Sequence, residues 1–387
     1  MFERLILNRI APFIDEQIIP EQAGFRPGKS TTSQLINLTQ HIEDGFERGQ
    51  ITGAVFVDLS ATYDTVNHRR LLCKILEITK DTHLTELMEN MLQNQRFFVE
   101  LGGKCSGWRK QKNGLPQDDL CITAQATDFI SIEEMLTEAL SGLTTYYEEN
   151  HLHANPSKTQ ICAFHLRSKV AKCQLNISWS GIPLTHSEHP VYLGVTLDRC
   201  LTFKTHVEKT KEKVSTCNNI LRKLTNTRWG ACPKTLRSTA LALCFSTAEY
   251  ACSAWERSTH AKKLDPVLNE SCRCITGCLK STNISNLHIL AGIAPPDIRR
   301  AVASMTEQRR QATDERHALH GHVPAPSRLK SQRSFMTSTT PLDPTPSEAR
   351  LAMWKKKLAD HQHSTTMHIP LPKISHQEIT TGQSGSV

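Results

Sequence analysis

The stretch "GAVFVDLS" (53–60) is a short run of β-branched and aromatic residues that ends in an aspartate. Such a run reads as a strand buried on both faces, one that carries Asp58 to the edge of a sheet. Working outward, "TTSQLINLTQHIEDGFE" (31–47) places Leu35, Ile36, Leu38, Ile42 and Phe46 near helical spacing, and "NHRRLLCKILEI" (67–78) continues as helix. Residues 97–111 alternate around Gly102-Gly103 and predict a hairpin. In 132–150, Met135, Leu136, Ala139, Leu140, Leu143 and Tyr147 predict one apolar helix face. Two strand-like pieces follow, 159–164 and 191–197. From about Lys204 the chain reads as helix, with Val207, Val214, Leu221 and Leu224 as its apolar stripe.

The 387 residues allow two or three subdomains. No apolar run approaches the ~18 residues of a membrane span, and "MFERLILNRIAPF" does not resemble a secretory signal. The expectation is an intracellular protein, cytoplasmic or nuclear, with no membrane partner. Thirteen irregularly spaced cysteines argue for free thiols rather than a disulfide framework. Cys272, Cys274 and Cys278 with His260 lack the paired knuckle of a zinc site. Beyond about residue 312 the chain turns rich in Pro, Ser and Thr, the composition of a linker or disordered tail, with one short helix at 347–361.

The formal charge is +8, and its placement matters more than its size. Between Arg199 and Arg237 ten Lys/Arg face two Glu, so this segment alone carries the excess of the whole chain. A basic stripe of this kind is the footprint of a phosphate-backbone binder, or else a solvated helix face.

A second acidic feature lies in "NGLPQDDLCITAQ" (113–125), where Asp118 and Asp119 directly follow a Gly-Leu-Pro-Gln turn. Carboxylates that converge from two strands suit Mg²⁺, a hard cation that takes oxygen ligands. Alone, an Asp-Asp pair is as readily a surface turn. "GFRPGKST" is not a nucleotide-binding P-loop, because that spacing needs Gly where Ala23 stands and no strand precedes it.

Taken in order, "EQAGFRPGKSTTSQL" (21–35), "VFVDLSATYDTVNH" (55–68), "NGLPQ" (113–117), "DDLC" (118–121), "NPSKT" (155–159) and "VYLGVTLD" (191–198) resemble the motifs of non-LTR, jockey-like retrotransposon reverse transcriptases. The resemblance covers roughly residues 1–300. It implies an α+β right-hand polymerase, with fingers and first palm in 1–117, the remaining palm in 118–200, a helical basic thumb in 201–311 and the tail in 312–387. It further implies RNA-templated addition of deoxynucleotides to a DNA 3′ end with two Mg²⁺ ions, so the partners would be RNA template, DNA primer and dNTPs. Nothing in it sets an oligomeric state.

By this resemblance Asp58, Asp118 and Asp119 would be the catalytic metal-binding carboxylates. Tyr63 would exclude the 2′-hydroxyl of the incoming nucleotide, Gln117 would contact nucleotide and template, and Lys158 would protonate the leaving pyrophosphate. Tyr192, Leu193 and Gly194 would grip the primer. Arg26 would lie near the template, and Lys204, Lys209, Lys211 and Lys213 would meet nucleic acid. The chain departs from the family between Gln117 and Asp118, where a helix and a strand ending in Tyr-Ala are missing. A crossover of that kind needs about a dozen residues or more. The palm is therefore incomplete, and the expectation is a degenerate copy of impaired activity. The alternative is a non-catalytic nucleic-acid-binding remnant.

Overall fold

In a computed structural model, Ile51–Val57 (β1) forms an inner strand of a four-stranded sheet. The described residues are 2–15, 17–19, 21–57, 68–92, 96–97, 100–101, 104–107, 109–110, 120–150, 152, 154–226, 229–329, 335–337 and 345–362. They divide into two units. The first comprises Met1–Leu201 and Asp314–Ser334, the second Thr202–Thr313 and Phe335–Val387.

The first unit opens with α1 (Phe2–Asp15) and α2 (Thr31–Arg48). Ser30 and Ser33 form a capping box at the start of α2, which satisfies helix donors left without intrahelical partners. Leu35, Ile36, Leu38, Ile42 and Phe46 are all buried, as their spacing predicts. After β1 come α3 (His68–Thr79) and α4 (Thr82–Leu92), and Leu84 of α4 packs with Ile6 and Ile10 of α1. The expected hairpin is present as two nested ladders, Arg96↔Lys110 with Phe97↔Arg109 and Glu100↔Cys105 with Leu101↔Lys104.

The sheet is completed by β2 (Leu120–Ala126), β3 (Gln160–Phe164) and the two-residue β4 (Thr185–His186). Its order is β4-β3-β1-β2, with β1 antiparallel to both neighbours and β4 parallel to β3. Helix α5 (Phe129–Asn150) covers one face, where Ile132, Leu136, Leu140 and Tyr147 meet Ile51, Val55, Val57 and Ile161. The expected apolar face of this helix is thus shifted. Ile132 turns inward while Met135 and Ala139 face solvent, because the i, i+4, i+8 row is the one laid along the sheet. Gly53 is what permits the close approach, since a Cβ there would lie 2.3 Å from Ile132 Cγ2. The opposite face of β2 is tied to α2 and β1, with Gln125 Nε2 donating to His41 O at 2.7 Å and to Thr52 Oγ1 at 3.0 Å.

Residues 191–197 differ from a single strand. Val191↔Thr196 and Tyr192↔Val195 pair across a two-residue turn at Leu193 and Gly194, with φ of 46° and 79°. Two consecutive left-handed residues are the mark of a type I′ hairpin. The segment after Thr313 also returns to this unit. Buried Asp44 of α2 accepts from His322 Nε2 at 2.8 Å and from the Ala325 amide at 3.1 Å, while Glu47 takes the Leu329 amide at 3.0 Å.

The second unit is helical. Its core gathers Val214 and Leu221 of α6 (Lys204–Leu224), Leu236 and Ala240 of α7 (Pro233–Ala240), Leu268 and Cys272 of α8 (Asp265–Thr276), and Leu287 of α9 (Ile284–Ala291). A π-helical turn, Leu241–Phe245, prolongs α7 into Ser246–Glu249. Buried Asn218 holds α6 to α8, donating to Val267 O at 2.8 Å and accepting from Ser271 Oγ at 2.6 Å. Finally, α10 (Pro296–Thr313) packs Ile298 and Val302 against Ala349 of α11 (Pro346–Gln362). No described helix is long and apolar enough to cross a membrane.

Candidate active site at the sheet edge

The register of β1 against β2 sets the geometry of the site. Val57, the last described residue before Asp58, pairs with Leu120, the first described residue after Asp119. Asp58, Tyr63, Gln117, Asp118 and Asp119 themselves lie outside the described residues. Even so, the two strand ends from which the aspartates continue are ladder partners at one edge of the sheet.

Beside those ends is a cavity of about 520 Å³ lined by Phe56, Val57 and Leu120, and by Lys158, Gln160 and Tyr192 from later in the chain. Lys158 is exposed and stands in a turn, Asn155 to Thr159, closed by its own amide bonding to Asn155 O at 3.1 Å. The Tyr192 ring rests 5.7 Å from that of Phe56, so the hairpin is fastened to the strand that leads to Asp58. Leu193 pays for its left-handed backbone with strain of the kind that persists where surroundings fix a turn. The structure thus brings Lys158 and Tyr192 to the edge where β1 and β2 end, with Leu193 and Gly194 following Tyr192 in its hairpin.

Arg26 does not line this cavity. Its guanidinium is bound to Asp15 at 3.2 Å. Lys204, Lys209, Lys211 and Lys213 are all exposed on α6, in the second unit. Among the described residues no group of three His, Cys, Asp or Glu is placed to hold a metal ion. All thirteen cysteines are free thiols. Burial pushes the Cys121 thiol on β2 upward, and it pushes Cys162 on β3 up to about 12, so both stay protonated beside the site. Sequence reading missed the contribution of Phe56 and Gln160 to the cavity, because a strand residue's neighbours across a sheet depend on register that no local pattern carries.

A four-stranded sheet with packed helices fits a polymerase-like fold. Residues 1–117 match the family described as Reverse transcriptase (RNA-dependent DNA polymerase). Among curated proteins the chain is 25% identical to a "Probable RNA-directed DNA polymerase from transposon BS" of Drosophila melanogaster, across 74% of this chain and 36% of that protein. It is 24% identical to the corresponding protein "from transposon X-element" of the same organism, across 74% and 35%. It is 25% identical to the "RNA-directed DNA polymerase from mobile element jockey" of Drosophila funebris, across 54% and 26%. The likeness is thus to reverse transcriptases, and the relatives matched are RNA-directed DNA polymerases of transposons and mobile elements. The chain spans about a third of the length of the first two of these relatives.

The transposon BS alignment is 328 positions long, whereas 74% of 387 residues is about 286. The alignment therefore runs about 40 positions longer than the residues this chain contributes to it.

Proposed function

We propose that this chain is the polymerase palm of a reverse transcriptase, with a helical nucleic-acid-binding unit, and that its nucleotidyl transfer is impaired. The observation that supports the site is the pairing of Val57 with Leu120, the described residues nearest in sequence to Asp58 and Asp119, beside the cavity lined by Lys158 and Tyr192. In the reaction, the primer 3′-oxygen forms a bond to the α-phosphorus of a dNTP while the bond to the leaving pyrophosphate breaks. Lys158 is within the cavity that would receive the triphosphate and supplies a proton to the pyrophosphate. Tyr192, Leu193 and Gly194 hold the primer end against the strand pair. Gln117 and Arg26 orient template, and Tyr63 rejects the ribose 2′-hydroxyl. Asp58, Asp118 and Asp119 would supply the hard oxygen donors that Mg²⁺ takes, and two such ions, when bound, would activate the 3′-hydroxyl and stabilise the leaving group.

Impairment follows from the join at Gln117-Asp118. Among the described residues β2 has one ladder partner, β1, and every residue of β2 is only partly buried. By the family's pattern a helix and a strand would stand between these two motifs, a crossover that needs about a dozen residues or more, and the sequence has none there. Misplacement of a reacting group by ~1 Å can cost about 10²-fold in rate.

The test is primer extension on a primed RNA template with Mg²⁺. The chain as it stands should incorporate little. Insertion of a helix and a strand ending in Tyr-Ala between Gln117 and Asp118 should raise incorporation at least about 100-fold. Robust synthesis by the unmodified chain would contradict the impairment, and a silent restored chain would contradict the polymerase reading. The exposed cations of α6 favour a second reading, a non-catalytic nucleic-acid-binding remnant. Its mark would be binding that falls steeply with salt and survives Asp58→Ala, with no synthesis.

A further inference from the structure

From Lys213 to Ala248 the chain contains six Lys/Arg and no carboxylate, and in the middle of this run stands Trp229. The residue is 65% exposed although it belongs to a unit that buries Trp255 completely. A covered tryptophan removes roughly 150–250 Å² from water, so an exposed one gives up a large burial term. The loop between α6 and α7 is pinned by the Gly230 amide on Asn226 O at 2.7 Å and the Ala231 amide on Leu224 O at 2.8 Å. Trp229 therefore stands where α6 ends and α7 begins, with exposed Lys223 before it and exposed Lys234 after it.

We propose that Trp229 is a stacking platform for one unpaired base of single-stranded RNA or DNA, with Lys223 and Lys234 taking the flanking phosphates. The inference rests on the nucleic-acid-binding role proposed above for the helical unit and adds the residue that reads single-strandedness. Every base offers a π face, so an aromatic ring set among cations binds unpaired strands without sequence preference. A duplex keeps its bases stacked on each other and offers only phosphates. The helical periodicity of α6 supports the same path, because Lys209, Lys213 and Lys223 fall within about 80° on its surface and lead toward the loop.

The experiment measures affinity of the full chain for an unstructured RNA oligonucleotide, the same sequence as DNA, and a blunt duplex, over a salt series. Trp229→Ala should weaken both single strands by about 5- to 100-fold at unchanged salt slope, and the duplex little. Trp229→Phe should recover most of the loss. Lys223→Ala and Lys234→Ala should each lower the slope by about 0.7. The RNA and DNA arms tell which strand is favoured. Equal affinity of Trp229→Ala and wild type would overturn the inference, as would equal losses on duplex and single strand. A change of oligomeric state in Trp229→Ala at unchanged affinity would also overturn it and would mean the ring faces a second copy. If wild type binds none of the three, the nucleic-acid reading of the unit fails first.

Discussion

β1 and β2 are the same length and share one ladder, yet every residue of β1 is buried and every residue of β2 is half-buried. Composition does not separate them, since both are apolar runs with small residues at the centre. What separates them is neighbours. α5 lies across one face of both, but β1 has a strand on each side, whereas β2 lies at the end of the described sheet. Among the described residues the strand that leads toward Asp58 is therefore flanked by a strand on both sides, and the strand that follows Asp119 by a strand on one. On the function proposed above, this asymmetry would put the weakness of the site on the side of β2.

The cross-strand pair Gly53↔Ala124 offers the sharpest way to break the comparison. Gly53→Val should cost about 3 kcal/mol or more, because its first added carbon already collides with Ile132. Ala124→Val, directly opposite, should cost under about 1 kcal/mol, because half-buried β2 can yield. Denaturant midpoints of the two variants check this, and equal losses would mean that β2 is as confined as β1.

Acid provides a somewhat smaller effect on the same distinction. His206, buried in the helical unit against Trp255, has its pKa lowered to about 4, first by burial and then by Lys213 and Lys209. His41, half-buried beside β2, is lowered mainly by burial, with Asp44 opposing the shift. For both groups the unfolded chain takes up a proton that the folded chain refuses. Stability is therefore full above pH ~6.5 and is lost as pH falls toward the folded pKa. At pH 4.5 the His206 term is of order 2 kcal/mol. Urea unfolding at pH 7.5 and 4.5 should show a smaller acid loss for His206→Phe than for wild type. An unchanged loss would remove His206 from the account.

Much of this fold is legible in the sequence where a pattern is local. β1, α2, the nested hairpin and α6 follow from period and turn residues. The inward row of α5 is not, because Met135 and Ile132 are equally apolar and only the angle of the helix on the sheet chooses between them. The docking of 314–329 is not legible either. It depends on Asp44 and Glu47, nearly three hundred residues away, which capture backbone amides and His322 rather than apolar side chains. Of the site, the motif residues are readable one by one, but their meeting is a matter of register. Val57 faces Leu120 only because the ladder runs Ile51↔Ala126 from its other end.

The central claim is that β1 and β2 deliver Asp58 and Asp119 to one place, and binding of Mn²⁺, a spin-active stand-in for Mg²⁺, tests it most directly. Electron paramagnetic resonance titration of the full chain should reveal a site that Asp58→Ala and Asp119→Ala each weaken by roughly tenfold or more. Binding that either substitution leaves untouched would contradict the claim.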